Sequence, residues 1–172
     1  MIPKKRLVGK DLTHFMRAAD MLCLWIGDTI IFNYRDGPGE SSEYRIHFQC
    51  QWRFIKEGKI LIASHDIYNP YDQNLEFNKK WKWDLIGRKK EQSSVFDVRR
   101  EMFIKNFLPL KITNIHFVDT CDLHIDFDKG IYFDTFITCS TKREYYRFMD
   151  MNKKEHYVIF EEEGTPYFEE WD

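Results

Sequence analysis

The stretch YRIHFQCQWRF, Tyr44 to Phe54, places groups capable of chemistry at regular intervals. Tyr44, Ile46, Phe48, Cys50, Trp52 and Phe54 alternate with Arg45, His47, Gln49, Gln51 and Arg53. Alternate residues of a strand share a face, so His47, Gln49, Gln51 and Arg53 form one file of hydrogen-bonding groups. Arg53 is its natural anchor for an anion, because a guanidinium fork pairs with carboxylate or phosphate at two points. His47 can serve as acid or base near neutral pH. Asp66 adds a carboxylate where a long connection begins, and these five residues are the expected binding set. The plainer reading of the same file is the wet face of an antiparallel sheet.

A second group is LHIDFD, which puts His124, Asp126 and Asp128 on one face. Imidazole with carboxylates can hold a divalent ion or act as an acid and base pair. No HExxH or dense ligand spacing accompanies them, so no metal, no cofactor and no catalytic residue is expected. A GxSxG elbow is absent, and no glycine-rich phosphate loop occurs. KKWKWDLIGRKK, Lys79 to Lys90, interleaves basic residues with Trp81 and Trp83, as single-stranded nucleic-acid binders do. The preferred reading is an amphipathic edge strand guarded by lysines, with the Trp rings in the core. The whole chain is not basic, so nucleic acid is not the expected partner.

These groups need a scaffold, and the pattern predicts an α+β domain: a mostly antiparallel sheet with two or three helices packed on one side. Asp11 to about Ala19 carries Leu12, Phe15, Met16 and Ala19 at helical spacing. Ser94 to Leu108 opens on a capping pair, Ser94 and Asp97, and stops at Pro109. Val95, Val98, Met102 and Phe103 supply its expected packing face, widened by Phe96 and Phe107. TKREYYRFM adds a short helix. MLCLWIGDTIIFNY reads as two strands turning at Gly27 and Asp28, and RDGPGESS as a loop. One strand is expected from about Glu43 to Ile55, paired through Glu57 and Gly58 with KILIAS. KITNIHFVD, CDLHIDFD, IYFDTFITC and EHYVIFEE supply further strands.

With 172 residues the chain is the size of a single domain, residues 1–172, and its 17% aromatic content excludes a disordered chain. No apolar run approaches the roughly 20 residues of a membrane-spanning helix, and Met1 to Lys10 lacks the apolar centre of a secretory signal. A cytoplasmic protein without a membrane partner is expected. The four cysteines, Cys23, Cys50, Cys121 and Cys139, are too far apart for a zinc knuckle and read as buried thiols. Residues 161–172, EEEGTPYFEEWD, form an acidic aromatic tail. Six of the chain's 28 acids lie there with no Lys or Arg, so the other 22 face 26 basic residues in a body of formal charge +4.

In order along the chain, RAADMLCLWIGD, YRIHFQCQWRF, ASHDIY, KWDL and REYYRF resemble a family of small bacterial proteins marked by an H-x-Q-C-x-W-R strand. The resemblance implies that His47, Gln49, Trp52, Arg53, Asp66 and Tyr68 belong to a shared framework, and it supplies no reaction. Gln51 stands where that pattern has Pro, and His65 where it has Arg. The expected function is non-enzymatic protein binding, in the manner of an immunity protein that masks a basic toxin. Glu161, Glu162, Glu163, Glu169, Glu170 and Trp171 form the expected partner surface. A small-ligand or enzyme site on the polar sheet face is the alternative, and single-stranded nucleic-acid binding a second.

Overall fold

Period-two burial runs through most of this chain, and the computed structural model turns nearly all of it into strand. It describes residues 4–34, 37–72, 81, 93–118, 121–138, 143–162 and 165–171, with the backbone alone for Tyr34 and residues 157–171. After a single helical turn, α1 (Lys4–Leu7), come β1 (Asp11–Ala18), β2 (Met21–Tyr34), β3 (Gly37–Phe48), β4 (Gln51–Lys56) and β5 (Lys59–Ala63). A 3-10 turn (Ser64–Tyr68) leaves β5, and α2 (Val95–Phe107) follows the described part of the long connection. The chain then runs through β6 (Leu110–Phe117), β7 (Leu123–Phe127), β8 (Ile131–Phe136), β9 (Glu144–Asp150), β10 (Glu155–Glu162) and β11 (Thr165–Trp171).

All eleven strands belong to one sheet, ordered β11-β10-β9-β3-β2-β1-β6-β7-β8-β4-β5, and every pairing is antiparallel. Its middle is weakly joined, since β1 and β6 share only the pairs Asp11 with Lys111 and Leu12 with Leu110. There the sheet folds back on itself. Phe15 of β1 and Phe54 of β4 are four places apart in the order, yet their ring centroids lie 5.4 Å apart. Phe48 of β3 meets Phe133 of β8 at 5.0 Å in the same way. The apolar faces of the two halves thus pack against each other, which is how an antiparallel sheet of this size buries one side and wets the other. From α2, Phe96 and Phe103 complete this core against Phe15, Trp52 and Phe54.

The α+β expectation is therefore overturned: the protein is mainly β. Among the described residues α2 is the only α-helix longer than one turn. Asp11–Ala18 is a strand whose register shifts between Leu12 and His14. That bulge brings Leu12 and Phe15 to the same buried side at a spacing of three, which imitates a helix. Met16, expected in the apolar stripe, is exposed. Residues 144–149 of TKREYYRFM lie in β9, not in a helix. The expected turn at Gly27 and Asp28 is instead a bulge inside one long strand, β2. Much of the expected loop RDGPGESS is the start of β3, paired along β2 from Gly37 with Tyr34 to Ser42 with Thr29. Helix α2 is capped as expected, with Asp97 N–H donating to Ser94 Oγ at 3.2 Å. Met102, assigned to its packing face, is 58% exposed, and Phe96 takes the burial instead. No helix among the described residues is long and apolar enough to cross a membrane.

Candidate functional site

The expected strand from Glu43 to Ile55 breaks at Gln49 and Cys50, and the break decides where the polar file goes. β3 lies between β2 and β9, whereas β4 lies between β8 and β5. His47 consequently turns outward from one half of the folded sheet and Arg53 from the other. They do not share a site. Half-buried His47 is flanked by Cys23 on β2 and Arg147 on β9. Burial, reinforced by Arg147, Arg45 and His156 and opposed by Glu144, pushes its pKa down to about 4. Gln49, in the break, donates from Nε2 to Glu144 Oε1 at 2.8 Å. Gln51 accepts from Ser64 Oγ. Asp66 caps the 3-10 turn by accepting from Ala63 N–H at 2.9 Å, and finds a cation in Arg99 of α2 at 3.5 Å, while His65 is exposed. Trp52 and Tyr68 also have structural roles. Trp52 is buried against Phe54, Phe96 and Phe133, and Tyr68 Oη donates to Asp20 at 3.0 Å.

Arg53 instead joins a cross-strand row on the outer face of β6, β7, β8 and β4. The inward residues of β7 and β8 are Leu123, Ile125, Phe127, Ile131, Phe133 and Thr135, all buried. That alternation turns His124, Asp126, Tyr132 and Asp134 outward. The register then sets His116 opposite His124, His124 opposite Asp134, and Asp134 opposite Arg53. His124 lies between two carboxylates, with Nδ1 2.5 Å from Asp134 Oδ1 and Nε2 2.9 Å from Asp126 Oδ1. Its ring stacks on Tyr132 at 5.3 Å and lies 4.5 Å from that of His116. Partial burial works against the charged imidazolium, but hydrogen bonds to Asp126 and Asp134 outweigh it and raise the His124 pKa. Asp126 is held low despite some burial by His124 and by Asn114, whose Nδ2 donates to it at 3.1 Å. Arg53 Nε stands 3.8 Å from Asp134 Oδ2, and its guanidinium lies over the Phe136 ring at 4.4 Å. A cavity of about 210 Å³ opens beside this row, lined by His116, His124, Asp134 and Phe136 among others. The arrangement can bind a cation through its nitrogen and carboxylate atoms or hold a small polar molecule against the cavity wall.

Two members of the row, His116 and Asp134, are absent from the set the sequence suggests. KITNIHFVD and IYFDTFITC each display an outward polar residue, but only the pairing register brings them beside His124. Asp128 leaves the face: it sits in the turn after β7 and accepts from Lys111 N–H at 3.0 Å.

The acidic end also acquires a place. β10 and β11 pair from His156 with Trp171 to Glu162 with Thr165, and β11 is the outermost strand of its half of the sheet. The backbone positions of Glu161, Glu162, Glu169, Glu170 and Trp171 therefore lie on one ribbon that is outermost in the sheet among the described residues. Glu163 lies outside the described residues, as does Lys79–Lys90 apart from Trp81. Comparison with protein-family models, with curated proteins and with solved structures finds no match to this chain.

Proposed function

We propose that this protein is a non-enzymatic protein-binding domain, of the kind that masks a basic partner such as a secreted toxin nuclease. The observation that carries the reading is the edge position of the acid-rich β10–β11 ribbon. An outermost strand offers unpaired main-chain groups that a partner strand can join, and side-chain charge then selects which partner docks. A ribbon rich in glutamate suits a cationic partner and discourages pairing with a second copy of itself, because like charges would face each other. The separation of six acids from a body of formal charge +4 agrees with a dedicated binding end.

The test compares wild type with a variant carrying Glu161→Lys, Glu162→Lys, Glu169→Lys and Glu170→Lys, each immobilised and exposed to extract of its own cells. Retention of one basic polypeptide by wild type, at least tenfold above the variant and weakened by salt, is expected. Identical retention by both proteins, with circular dichroism unchanged, refutes the edge as the docking surface.

A further inference from the structure

We propose that His116, His124 and Asp126 form a binding site for a divalent cation of the zinc type, with one coordination position left open. The site is independent of the partner reading, lying on β6 and β7 and not on the β10–β11 edge. One ligand atom from each residue, two imidazole nitrogens and a carboxylate oxygen, lies within 4.8 Å of the other two. Zinc bonds of about 2.0–2.2 Å in tetrahedral geometry bring such atoms to roughly 3.4 Å apart. His116 is exposed and the Asp126 side chain is 41% exposed, so both can swing inward without disturbing the core.

His124 is the fixed member. Asp134 takes its Nδ1–H, which orients the ring and directs Nε2 toward Asp126. A carboxylate behind a metal-binding imidazole has this effect, setting the tautomer and strengthening the ligand. Nitrogen and carboxylate donors together suit zinc and its neighbours better than calcium or magnesium, which prefer oxygen alone. Three protein ligands leave a fourth position for water, which the exposure of His116 and of the Asp126 side chain keeps within reach of solvent. A binding cation displaces the proton of His124 Nε2 to solvent, while Nδ1 keeps its own proton and donates it in a hydrogen bond to Asp134.

Zinc titration of the full chain by calorimetry tests the site, with His116→Ala, Asp126→Asn and Asp134→Asn as variants and exposed His65→Ala as control. One zinc per chain is expected. His116→Ala and Asp126→Asn should each weaken it at least tenfold, and Asp134→Asn, a positioning change, by about 10–100-fold. Cobalt substitution should give tetrahedral absorption bands without a thiolate charge-transfer band. Absence of saturable binding, unchanged affinity in both ligand variants, loss in His65→Ala, or a thiolate band overturns the proposal. Thermal unfolding without metal separates a lost ligand from a misfolded variant, because neither exposed side chain supports the core.

Discussion

The guanidinium of Arg17 and the carboxylate of Asp97 meet through two parallel hydrogen bonds, Nε to Oδ1 and Nη2 to Oδ2, each 3.0 Å long. They tie β1 to the first turn of α2. Arg17 is only 4% exposed, and it also donates from Nη1 to Ala19 O at 2.9 Å. Asp97 in turn accepts from Ser94 N–H and Ser94 Oγ, so one carboxylate both neutralises a buried cation and caps the helix. Asp97→Ala is therefore expected to cost about 3–5 kcal/mol, because it removes the two-point carboxylate partner of a buried guanidinium. Ser94→Ala, which removes only capping bonds, should cost about 1 kcal/mol. Urea unfolding of both variants checks the ratio, and equal losses would mean that the ion pair adds nothing to the cap.

Gly27 occupies the bulge of β2 with φ at +84°, where a side chain is strained. A Cβ there would also lie 3.1 Å from Glu43 Cβ and press on its carboxylate. That carboxylate accepts from Lys10 Nζ at 2.7 Å and from Asp28 N–H at 3.0 Å, so it is not free to retreat. Gly27→Ala should destabilise by about 1–3 kcal/mol, combining backbone strain with the displaced pair. Thermal melts would test this, and an unchanged midpoint would contradict the crowding.

Local signals were readable wherever a single element decides them. Ser94 and Asp97 mark the start of α2, Glu57 and Gly58 mark the β4–β5 hairpin, and LHIDFD shows its two faces openly. Bulges defeated the same method. At Leu12 to His14 an extra residue shifts the period from two to three, and the strand reads as a helix. At Gly27 and Asp28 a turn signature lies within a continuous strand. The candidate site is less legible still, for a different reason. His116, His124, Asp134 and Arg53 come from four strands, and their neighbourhood depends on pairing register, which no local spacing encodes.

Phe54 is the centre of the aromatic core. Its ring lies 4.8 Å from Phe133, 4.9 Å from Phe103 and 5.4 Å from Phe15, joining both halves of the sheet and α2. Truncation leaves a void that three elements cannot close together, so Phe54→Ala is expected to cost about 3–5 kcal/mol. Phe107→Ala, from the partly buried end of α2, removes a ring contact with Phe103 and the face over which the Lys56 ammonium lies, and should cost clearly less. Denaturant midpoints would rank the two, and the reverse order would remove Phe54 from the centre.

His47 makes stability pH-dependent in a predictable direction. Its folded pKa of about 4 lies below the unperturbed 6.5, because burial and the charges of Arg147, Arg45 and His156 oppose protonation, with Glu144 acting the other way. Between those values the unfolded chain binds a proton that the folded one refuses. The contribution is complete above about pH 6.5 and is lost as pH falls toward 4, by up to about 1.4 kcal/mol per pH unit for one such group. His14 and His156, also lowered chiefly by burial, add in the same direction. His124 works oppositely, since its raised pKa favours the folded state at low pH and loses that advantage as pH rises. His47→Gln should therefore flatten the acid limb of a stability profile between pH 6.5 and 4 by roughly one proton's worth of slope. Urea unfolding at half-unit pH steps measures it. A variant profile parallel to wild type throughout that window would show that His47 titrates alike in both states, and the buried cationic surroundings described for it would be wrong.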